Sequence, residues 1–453
     1  MNISKEHITR FYFLGIGGIG MSALARYFNA SGYDVAGYDK TATALTTQLI
    51  SEGIEVNFAP TADAIPARFK EKNETMIVYT PAVPADMEQY MFFLNNGFGI
   101  RKRAQVLGMI SHAIKTLAIA GTHGKTTTTA ILGHLLAFAE EKVTAFLGGI
   151  SENYHTNLIL KGNDLMVVEA DEFDRSFLTL SPSIAAITSM DADHLDIYGE
   201  ADALTKSFGE FAQLVQDDGE LIIRKGLPLD GKTYGIDEDA DYNGTNLVIK
   251  EGVYEFNLQT PYGVLEQLRF SLPGKHNVLN AIAAMAVAIE YGISPSTISV
   301  ALPFFKGVER RFSYRIKTED LVLIDDYAHH PTEINAVHQA IREMYPDEQI
   351  LAIFQPHLYS RTRDFINEFA SALGQFDQVA LLDIYPAREK PIAGITSMAL
   401  LHKMDHKDKK LVQKEELKDV VSDSDCKIVV MMGAGDIGIE IMNLTKTLQN
   451  EVH

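Results

Sequence analysis

A chain of 453 residues is too long for a single hydrophobic core, so two or three domains are expected. The formal net charge of −20 argues against nucleic acid as a main partner, because a phosphate backbone requires a basic surface. A single cysteine, Cys426, allows no internal disulfide. The first residues lack an apolar signal core, and no later apolar run reaches the roughly 18 residues of a spanning helix, so we expect a cytoplasmic protein that does not enter a membrane.

The first predicted unit is a strand, a helix and a second strand over residues 10–39. A G-x-G-x-x-G turn, Gly15-Ile16-Gly17-Gly18-Ile19-Gly20, joins the strand to the helix, and the second strand ends at Asp39. This layout suits a pyrophosphate at the helix N-terminus and a ribose hydroxyl on the acid. The motif does not distinguish a nicotinamide or flavin cofactor from a nucleotide-diphosphate sugar, and the glycines alone also permit plain helix–strand packing.

A further strand, Thr75–Thr80, ends in a proline-containing loop. Loops at the carboxyl ends of strands line the ligand crevice of open α/β sheets, so the Thr80 hydroxyl is a candidate phosphate contact. Arg101 and Arg103 could serve the same anion, although arginines near a domain boundary are more often simply solvated.

A second domain is predicted to begin near residue 104 with a connecting helix, followed by the strand Lys115–Ala120 and a glycine turn. The turn reads Gly121-Thr122-His123-Gly124-Lys125-Thr126-Thr127. Two glycines let backbone N–H groups converge on a phosphate, Lys125 supplies a positive charge, and the Thr126 hydroxyl can ligate Mg²⁺. The strict nucleotide-loop pattern is not met, because Ile119 stands where its first glycine would be, and a simple helix cap is the alternative.

Two later strands of this domain end in acids. The run Asp164–Glu169 continues into Ala170-Asp171-Glu172, and Ile184–Met190 is followed by a segment that contains His194. Acids at the tip of a strand beside a phosphate loop hold a nucleotide's Mg²⁺, so the sequence predicts a metal–phosphate site here.

Residues 219–272 alternate short β-like runs with Gly- and Asp-rich turns and predict an antiparallel insertion without chemistry. The following Pro273-Gly274-Lys275-His276-Asn277 leads into a predicted alanine-rich helix that carries Asn280 on the same face as Asn277. Asn277 suits either an adenine edge or an N-cap, and the sequence does not decide between them.

The third segment begins near Arg310 and Arg311, which could close over a phosphate. A strand then ends in Asp325-Asp326-Tyr327-Ala328-His329-His330-Pro331, and a second strand ends in a polar tip over residues 355–363. So many ionisable groups in turns at strand ends indicate a functional site. A second G-x-G-x-x-G, at residues 433–438, is interpreted as a tight turn without a ligand, because no acidic partner follows it on another strand.

With these residues assembled, the chain resembles the Mur ligase family of peptidoglycan synthesis. The matching segments occur in family order and are Gly15–Met21, Gly121–Thr129, Glu169–Asp174, Asp193–Tyr198, His276–Asn280, Arg310–Phe312, Asp325–Glu333 and His357–Arg363. The resemblance implies an α/β protein of three domains: a Rossmann-like UDP-binding domain at 1–103, a P-loop ATPase-like domain at 104–307 and a Rossmann-like amino-acid-binding domain at 308–453. It also implies ATP-dependent joining of L-alanine to the muramate carboxyl of UDP-N-acetylmuramate through an acyl phosphate.

The resemblance assigns a role to each candidate residue. The residues expected to bind the UDP moiety are Gly15, Gly17, Gly18, Gly20, Asp39 and Thr80. The residues expected to bind ATP are Gly121, Thr122, His123, Gly124, Lys125, Thr126 and Thr127 of the glycine turn, and Asn277, Arg310 and Asp326 from later segments. The resemblance implies two Mg²⁺ ions, for which Mn²⁺ can substitute: Thr126 and Glu169 match the ligands of one, and Glu169 and His194 match those of the second. The residues expected to bind the incoming alanine are Tyr327, His329, His357 and Arg361. The expected catalytic residues are Lys125, His194, His329 and Arg361. Ser189 departs from relatives, which commonly carry asparagine at that position.

The expected partners are therefore the two small-molecule substrates, UDP-N-acetylmuramate and L-alanine. The expected oligomeric state is a monomer or a weak homodimer. The nearest alternative is a recycling ligase that joins a preformed tripeptide to the same sugar nucleotide. Alternatives from other classes are a nicotinamide-dependent oxidoreductase built on the first glycine motif and a non-catalytic nucleotide-binding regulator. The oxidoreductase leaves Lys125, Glu169 and His194 unexplained.

Overall fold

The computed structural model describes residues 7–191, 201–387 and 389–451. The chain forms two compact units. One contains the chain as far as Val248 together with Glu255–Phe270 and Leu279–Lys306, and the other contains Ile249–Tyr254, Ser271–Val278 and the chain from Gly307. No helix in the described ranges is both long enough and apolar enough to cross a membrane.

The first unit begins with a parallel five-stranded sheet whose order is β3-β2-β1-β4-β5. Its strands are β1 (Arg10–Leu14), β2 (Asp34–Tyr38), β3 (Glu55–Asn57), β4 (Thr75–Tyr79) and β5 (Gly99–Lys102). Its helices are α1 (Ile19–Ala30), α2 (Ala44–Ser51) and α3 (Glu88–Asn95), with short 3-10 helices at Ala62–Ala64 and Ala67–Lys70. Leu14 pairs in register with Tyr38 and with Tyr79, so the loops that follow β1, β2 and β4 leave the sheet at the same edge.

The apolar residues of β1 explain why this sheet is covered on both faces. Phe11 and Phe13 belong to one buried cluster, whereas Tyr12 and Leu14 belong to another. Alternate strand residues point to opposite faces, so a continuous apolar run is typical of a parallel sheet between two helical layers.

A ten-stranded sheet follows along the chain, with the order β15-β14-β13-β12-β11-β10-β6-β9-β7-β8. Its strands are β6 (Lys115–Ala120), β7 (Val143–Ser151), β8 (Thr156–Leu160), β9 (Leu165–Ala170), β10 (Ile184–Ile187), β11 (Glu220–Arg224), β12 (Lys232–Ile236), β13 (Tyr242–Lys250), β14 (Val253–Thr260) and β15 (Gly263–Phe270). Its helices are α4 (Arg103–Ser111), α5 (Lys125–Phe138), α6 (Ala201–Ala212), α7 (Lys275–Tyr291) and α8 (Pro295–Ala301), with 3-10 helices at Phe173–Thr179 and Leu302–Phe304. β6 lies between β9 and β10 and is parallel to both, with Ala120 opposite Ala170 and Ile187.

The predicted antiparallel insertion at 219–272 was wrong for its first half. β11 pairs in parallel with β10, β12 with β11, and β13 with β12, so these strands extend the central sheet. A strand with one exposed face shows the same alternation in either orientation, which is why the pattern could not give the direction.

The first two sheets share packing. Met21, Leu24 and Phe28 of α1 lie in the same buried cluster as Phe146 and Leu158 of the second sheet. The predicted boundary at 103/104 therefore crosses a common core, and the two boundaries between the three domains stay predictions.

The second unit contains a six-stranded sheet of order β16-β17-β21-β18-β19-β20. Its strands are β16 (Ser313–Lys317), β17 (Val322–Asp326), β18 (Ile350–Phe354), β19 (Gln378–Leu381), β20 (Lys409–Leu411) and β21 (Ile428–Met432). Its helices are α9 (Pro331–Met344), α10 (Tyr359–Asp364), α11 (Ile366–Leu373), α12 (Ser397–Lys403), α13 (Leu417–Ser422) and α14 (Ile437–Glu451), with a 3-10 helix at Lys414–Glu416. Apart from antiparallel β16, the strands are parallel, which confirms the predicted α/β class.

Candidate active site

The first glycine turn lies where the loops after β1, β2 and β4 meet. A Cβ added at Gly15 would lie 2.8 Å from Thr80 Cγ2, and one added at Gly17 would lie 2.8 Å from Asp39 Oδ2. Asp39 accepts a hydrogen bond from the Gly17 N–H at 2.7 Å. The structure therefore brings the predicted glycine, acid and threonine positions together, with Gly18 as the N-terminal residue that precedes α1.

The second glycine turn joins β6 to α5 with the backbone that a phosphate cradle requires. Gly121 and Gly124 have φ values of 134° and 81°, a region that residues with a Cβ rarely adopt. Gly124 precedes α5 and provides no side-chain cap, so the first turn of that helix, which begins with Lys125, Thr126 and buried Thr127, points its N–H groups into the turn.

Lys125 is held at the base of this loop. Its Nζ donates to the Gly121 carbonyl at 2.6 Å and to Glu172 Oε1 at 2.9 Å, and the Glu172 side chain is fully buried. Burial alone would lower the pKa of Lys125, but nearby carboxylates, chiefly that of Glu172, raise the pKa above its ordinary value. Lys125 therefore stays a cation in a site of low polarity, ready to meet phosphate oxygens.

Thr126 and Glu169 form the oxygen pair that the sequence predicted for a metal. The Thr126 hydroxyl donates to Glu169 Oε1 at 2.8 Å. Gly148 of β7 lies beside both side chains. A Cβ added at Gly148 would lie 1.9 Å from Glu169 Oε2 and 3.0 Å from Thr126 Oγ1. A hydroxyl and a carboxylate with glycine beside them fit a hard cation such as Mg²⁺.

The third predicted metal ligand, His194, lies outside the described residues. Within 7–191, 201–387 and 389–451, no group of three or more His, Cys, Asp or Glu side chains is placed to hold a metal. Thr126 and Glu169 remain the candidate ligands that the structure describes.

Ser189 fixes the shape of the phosphate loop. Its Oγ accepts from the His123 N–H at 2.8 Å and lies 2.9 Å from Thr122 Oγ1, while its carbonyl accepts from the Thr122 N–H at 3.2 Å. The side chain of His123 lies 3.5 Å from Asp191. Serine at this position thus positions the loop through hydrogen bonds to the backbone.

Ser189→Ala is expected to raise the KM for ATP about 3- to 10-fold, because each lost hydrogen bond is worth roughly 1 kcal/mol. The KM for the other substrates should stay unchanged in steady-state assays. Ser299→Ala is the matched control, since the Ser299 hydroxyl donates to Pro295 within its own helix. An unaltered KM for ATP in Ser189→Ala would contradict this role.

Asn277 and Asn280 both lie in α7. Asn277 is in the first helical turn and donates from its amide to the Pro273 carbonyl at 2.6 Å, so it is not an N-cap. Asn280 lies beside the phosphate loop, since a Cβ at Gly124 would be 2.4 Å from its Oδ1. The sequence placed Asn280 on the helix face of Asn277, among polar groups that suit an adenine edge.

In the second unit, Asp326 ends β17 and organises the turn around it. Its carboxylate accepts from the Phe312 and Ala328 N–H groups, both at 2.7 Å. Burial raises the pKa of Asp326 to about 6. Arg310, at a positive φ of 60°, donates to the Gly433 carbonyl and lies over the Tyr327 ring. The second glycine motif therefore faces an arginine of its own unit.

His329, His357 and Arg361 come together as predicted for one substrate. The two imidazole rings are 6.0 Å apart, and His357 stacks on Tyr385. Burial lowers the pKa of each histidine to about 4, and the charge of Arg361 contributes to both shifts. Both imidazoles are therefore neutral near pH 7, beside a cation that can bind a carboxylate.

Comparison with known proteins covers the same three regions. Three family models match consecutive parts of the chain: "Mur ligase family, catalytic domain" at 10–115, "Mur ligase middle domain" at 119–288 and "Mur ligase, glutamate ligase domain" at 310–435. A protein of Christiangramia forsetii named UDP-N-acetylmuramate–L-alanine ligase is 58% identical over 98% of this chain and 99% of its own length. The chain belongs to the Mur ligase family.

Solved structures agree with the Mur ligase assignment. The crystal structure of a UDP-N-acetylmuramate–alanine ligase from Thermotoga maritima matches with a TM-score of 0.84 and 29% identity, over 98% of this chain and 99% of that one. A murein peptide ligase from Psychrobacter arcticus has the same fold, with a TM-score of 0.73 and 21% identity over 98% and 99% of the two chains. The phosphate loop and Glu169 of this Mur ligase lie within its middle-domain match.

Proposed function

We propose that this Mur ligase joins L-alanine to the muramate carboxyl of UDP-N-acetylmuramate and converts ATP to ADP and phosphate. The observation that carries the proposal is the 58% identity, over nearly the whole chain, with a relative that bears the name of that activity. The phosphate loop beside Glu169 supports the use of ATP. The glycine turn at Gly15–Gly20 supports binding of a sugar nucleotide.

The activation step requires one anion to approach another. A muramate carboxylate attacks the γ-phosphate of ATP, which gives an acyl phosphate and ADP. Lys125 and the N–H groups at the start of α5 oppose the repulsion and stabilise charge on the transferring phosphoryl group. Glu172 keeps Lys125 charged and orients its Nζ towards the loop.

We assign the Mg²⁺ that accompanies ATP to Thr126 and Glu169, whose oxygens lie 2.8 Å apart. When bound there, the metal neutralises phosphate charge. Gly148 leaves the space beside these oxygens open.

The second step requires a neutral amine, which attacks the acyl carbon and expels phosphate. His329 Nδ1 lies 2.9 Å from the Tyr327 carbonyl, so the tautomer that donates there leaves Nε2 as a hydrogen-bond acceptor for the amine. With a pKa of about 4, His329 is a weak base, so we assign it to orienting the amine while solvent removes the proton. Arg361 would bind the alanine carboxylate.

A recycling ligase that adds a tripeptide is the nearest alternative. The murein peptide ligase from Psychrobacter arcticus, at 21% identity, is evidence for the fold alone. The deciding experiment measures phosphate release with UDP-N-acetylmuramate and ATP, comparing alanine with the tripeptide L-alanyl-γ-D-glutamyl-diaminopimelate as acceptor. We expect release with alanine. Release with the tripeptide alone would favour the recycling activity, and release with neither would refute the proposal. Cytoplasmic location and a monomeric or weakly dimeric state stay predictions.

Arg361→Lys is expected to raise the KM for alanine about 10-fold and to leave the KM for ATP unchanged, because a point charge cannot reproduce two parallel hydrogen bonds to a carboxylate. Arg363→Lys is the matched control, since Arg363 is exposed and paired with Asp364. Equal increases for alanine and ATP would contradict the assignment of Arg361.

A further inference from the structure

Arg103 connects two parts of the first unit that the proposed reaction must bring together. A Cβ added at Gly20 would lie 2.6 Å from Arg103 Nη1 and 3.2 Å from its Cζ, so the guanidinium lies directly on the glycine turn. The same side chain donates through Nη2 to Asp171 Oδ2 at 3.1 Å, just after β9. Arg103 also lines a narrow cleft together with Glu169 and Asp171.

The positive charge in this region comes from the Arg103 guanidinium and the N-termini of two helices. Gly20 is in the first turn of α1, and Arg103 is the first residue of α4. Neither helix has an acidic residue in its first turn, so two positive helix ends and one guanidinium lie opposite the carboxylates of Asp171 and Glu169. The neighbouring Lys102 is paired elsewhere, with Asp174 at 2.8 Å.

We propose that Arg103 binds the carboxylate of the sugar nucleotide and aims it at the γ-phosphate. The inference rests on the proposed function. The glycine turn holds the pyrophosphate end of the substrate, and Glu169 lies where the γ-phosphate is expected. The reacting carboxylate must lie between them, in a region where Glu169, Asp171 and Glu172 would otherwise repel it. A guanidinium in that place offsets the repulsion and fixes the carboxylate through a bidentate contact.

The test compares two ligands by isothermal titration calorimetry, without ATP or metal. UDP retains the pyrophosphate, whereas UDP-N-acetylmuramate adds the N-acetylated sugar and its lactyl carboxylate. UDP-N-acetylglucosamine, which has the sugar without the carboxylate, should bind the variant and the wild type alike. Arg103→Gln should weaken UDP-N-acetylmuramate binding about 10- to 100-fold and leave UDP binding within about 2-fold of the wild type. Retained UDP binding also demonstrates that the variant is folded. Lys102→Gln removes the same charge one residue away and should leave both affinities unchanged.

A further variant separates direct contact from simple repulsion. Arg103→Gln alone leaves Asp171 without its arginine, and its charge could repel the substrate. In Arg103→Gln/Asp171→Asn that charge is gone, and the weak binding of UDP-N-acetylmuramate should persist. Recovery in the double variant, equal loss of UDP binding or unchanged affinity would each overturn the proposal. Alanine-dependent phosphate release by the wild type tests the proposed function separately, so the two failures are distinguishable.

Discussion

Lys125→Ala is expected to lower kcat by at least about 10³-fold while UDP-N-acetylmuramate still binds. The reason is that removing a charge that stabilises a transferring phosphoryl group costs about that factor in other enzymes. Lys125 lies in the β6–α5 loop, whereas the proposed sugar-nucleotide groups, Gly15, Gly17 and Asp39, lie at the edge of the first sheet. Phosphate release and calorimetric binding of the sugar nucleotide measure the two effects.

The variant must be controlled for folding, because Glu172 would lose the partner of its buried carboxylate. Breaking a buried ion pair from one side costs about 3–5 kcal/mol of stability. Lys125→Met/Glu172→Gln removes both charges and should remain folded but inactive. Lys142→Ala, at an exposed lysine that faces Asp164, is the surface control and should be fully active. Sugar-nucleotide binding lost in proportion to activity in the folded double variant would contradict the separate roles.

The phosphate loop shows how much of the site was readable from sequence. A buried strand, two glycines, a lysine and a helix are local features, and their order alone predicted a turn whose N–H groups converge on a phosphate. Gly121 and Gly124 have the positive φ values that such a turn uses. Polar residues at the ends of parallel strands were also predictable, because such ends share one edge. The proximity of Gly15 to Thr80 and of Gly17 to Asp39 follows from that rule.

The acids at the end of β9 and just after it show what could not be predicted from the sequence. Glu169, Asp171 and Glu172 lie within four consecutive residues, yet they face Thr126, Arg103 and Lys125 respectively. Glu169 lies in β9, and the segment that follows Glu172 contains Asp174 and Arg175, which both have positive φ, at 53° and 54°. Residues other than glycine rarely adopt that backbone, so no propensity rule indicates it. Which acid pairs with Lys125 was therefore settled by tertiary structure.

Gly148→Ala is expected to weaken the apparent Mg²⁺ affinity about 10- to 100-fold, the range found when the groups that orient a metal ligand are altered. The new methyl group would lie 1.9 Å from Glu169 Oε2, at the end of a flexible side chain. The Glu169 carboxylate would rotate away from Thr126, so the two candidate metal ligands would move apart. Strand β7 and the overall fold would be retained. Sequence alone gave no reason to examine this glycine, because the contact depends on the pairing of β7 with β9.

The measurement is Mn²⁺ binding by electron paramagnetic resonance in the presence of ATP, together with the Mg²⁺ dependence of phosphate release. Glu169→Gln should reproduce the weaker metal affinity, because it removes the charge that Gly148→Ala displaces. Gly99→Ala is the matched control, since no atom lies within 4 Å of a Cβ built there. If Gly148→Ala bound Mn²⁺ as tightly as the wild type, the metal would not lie between Thr126 and Glu169.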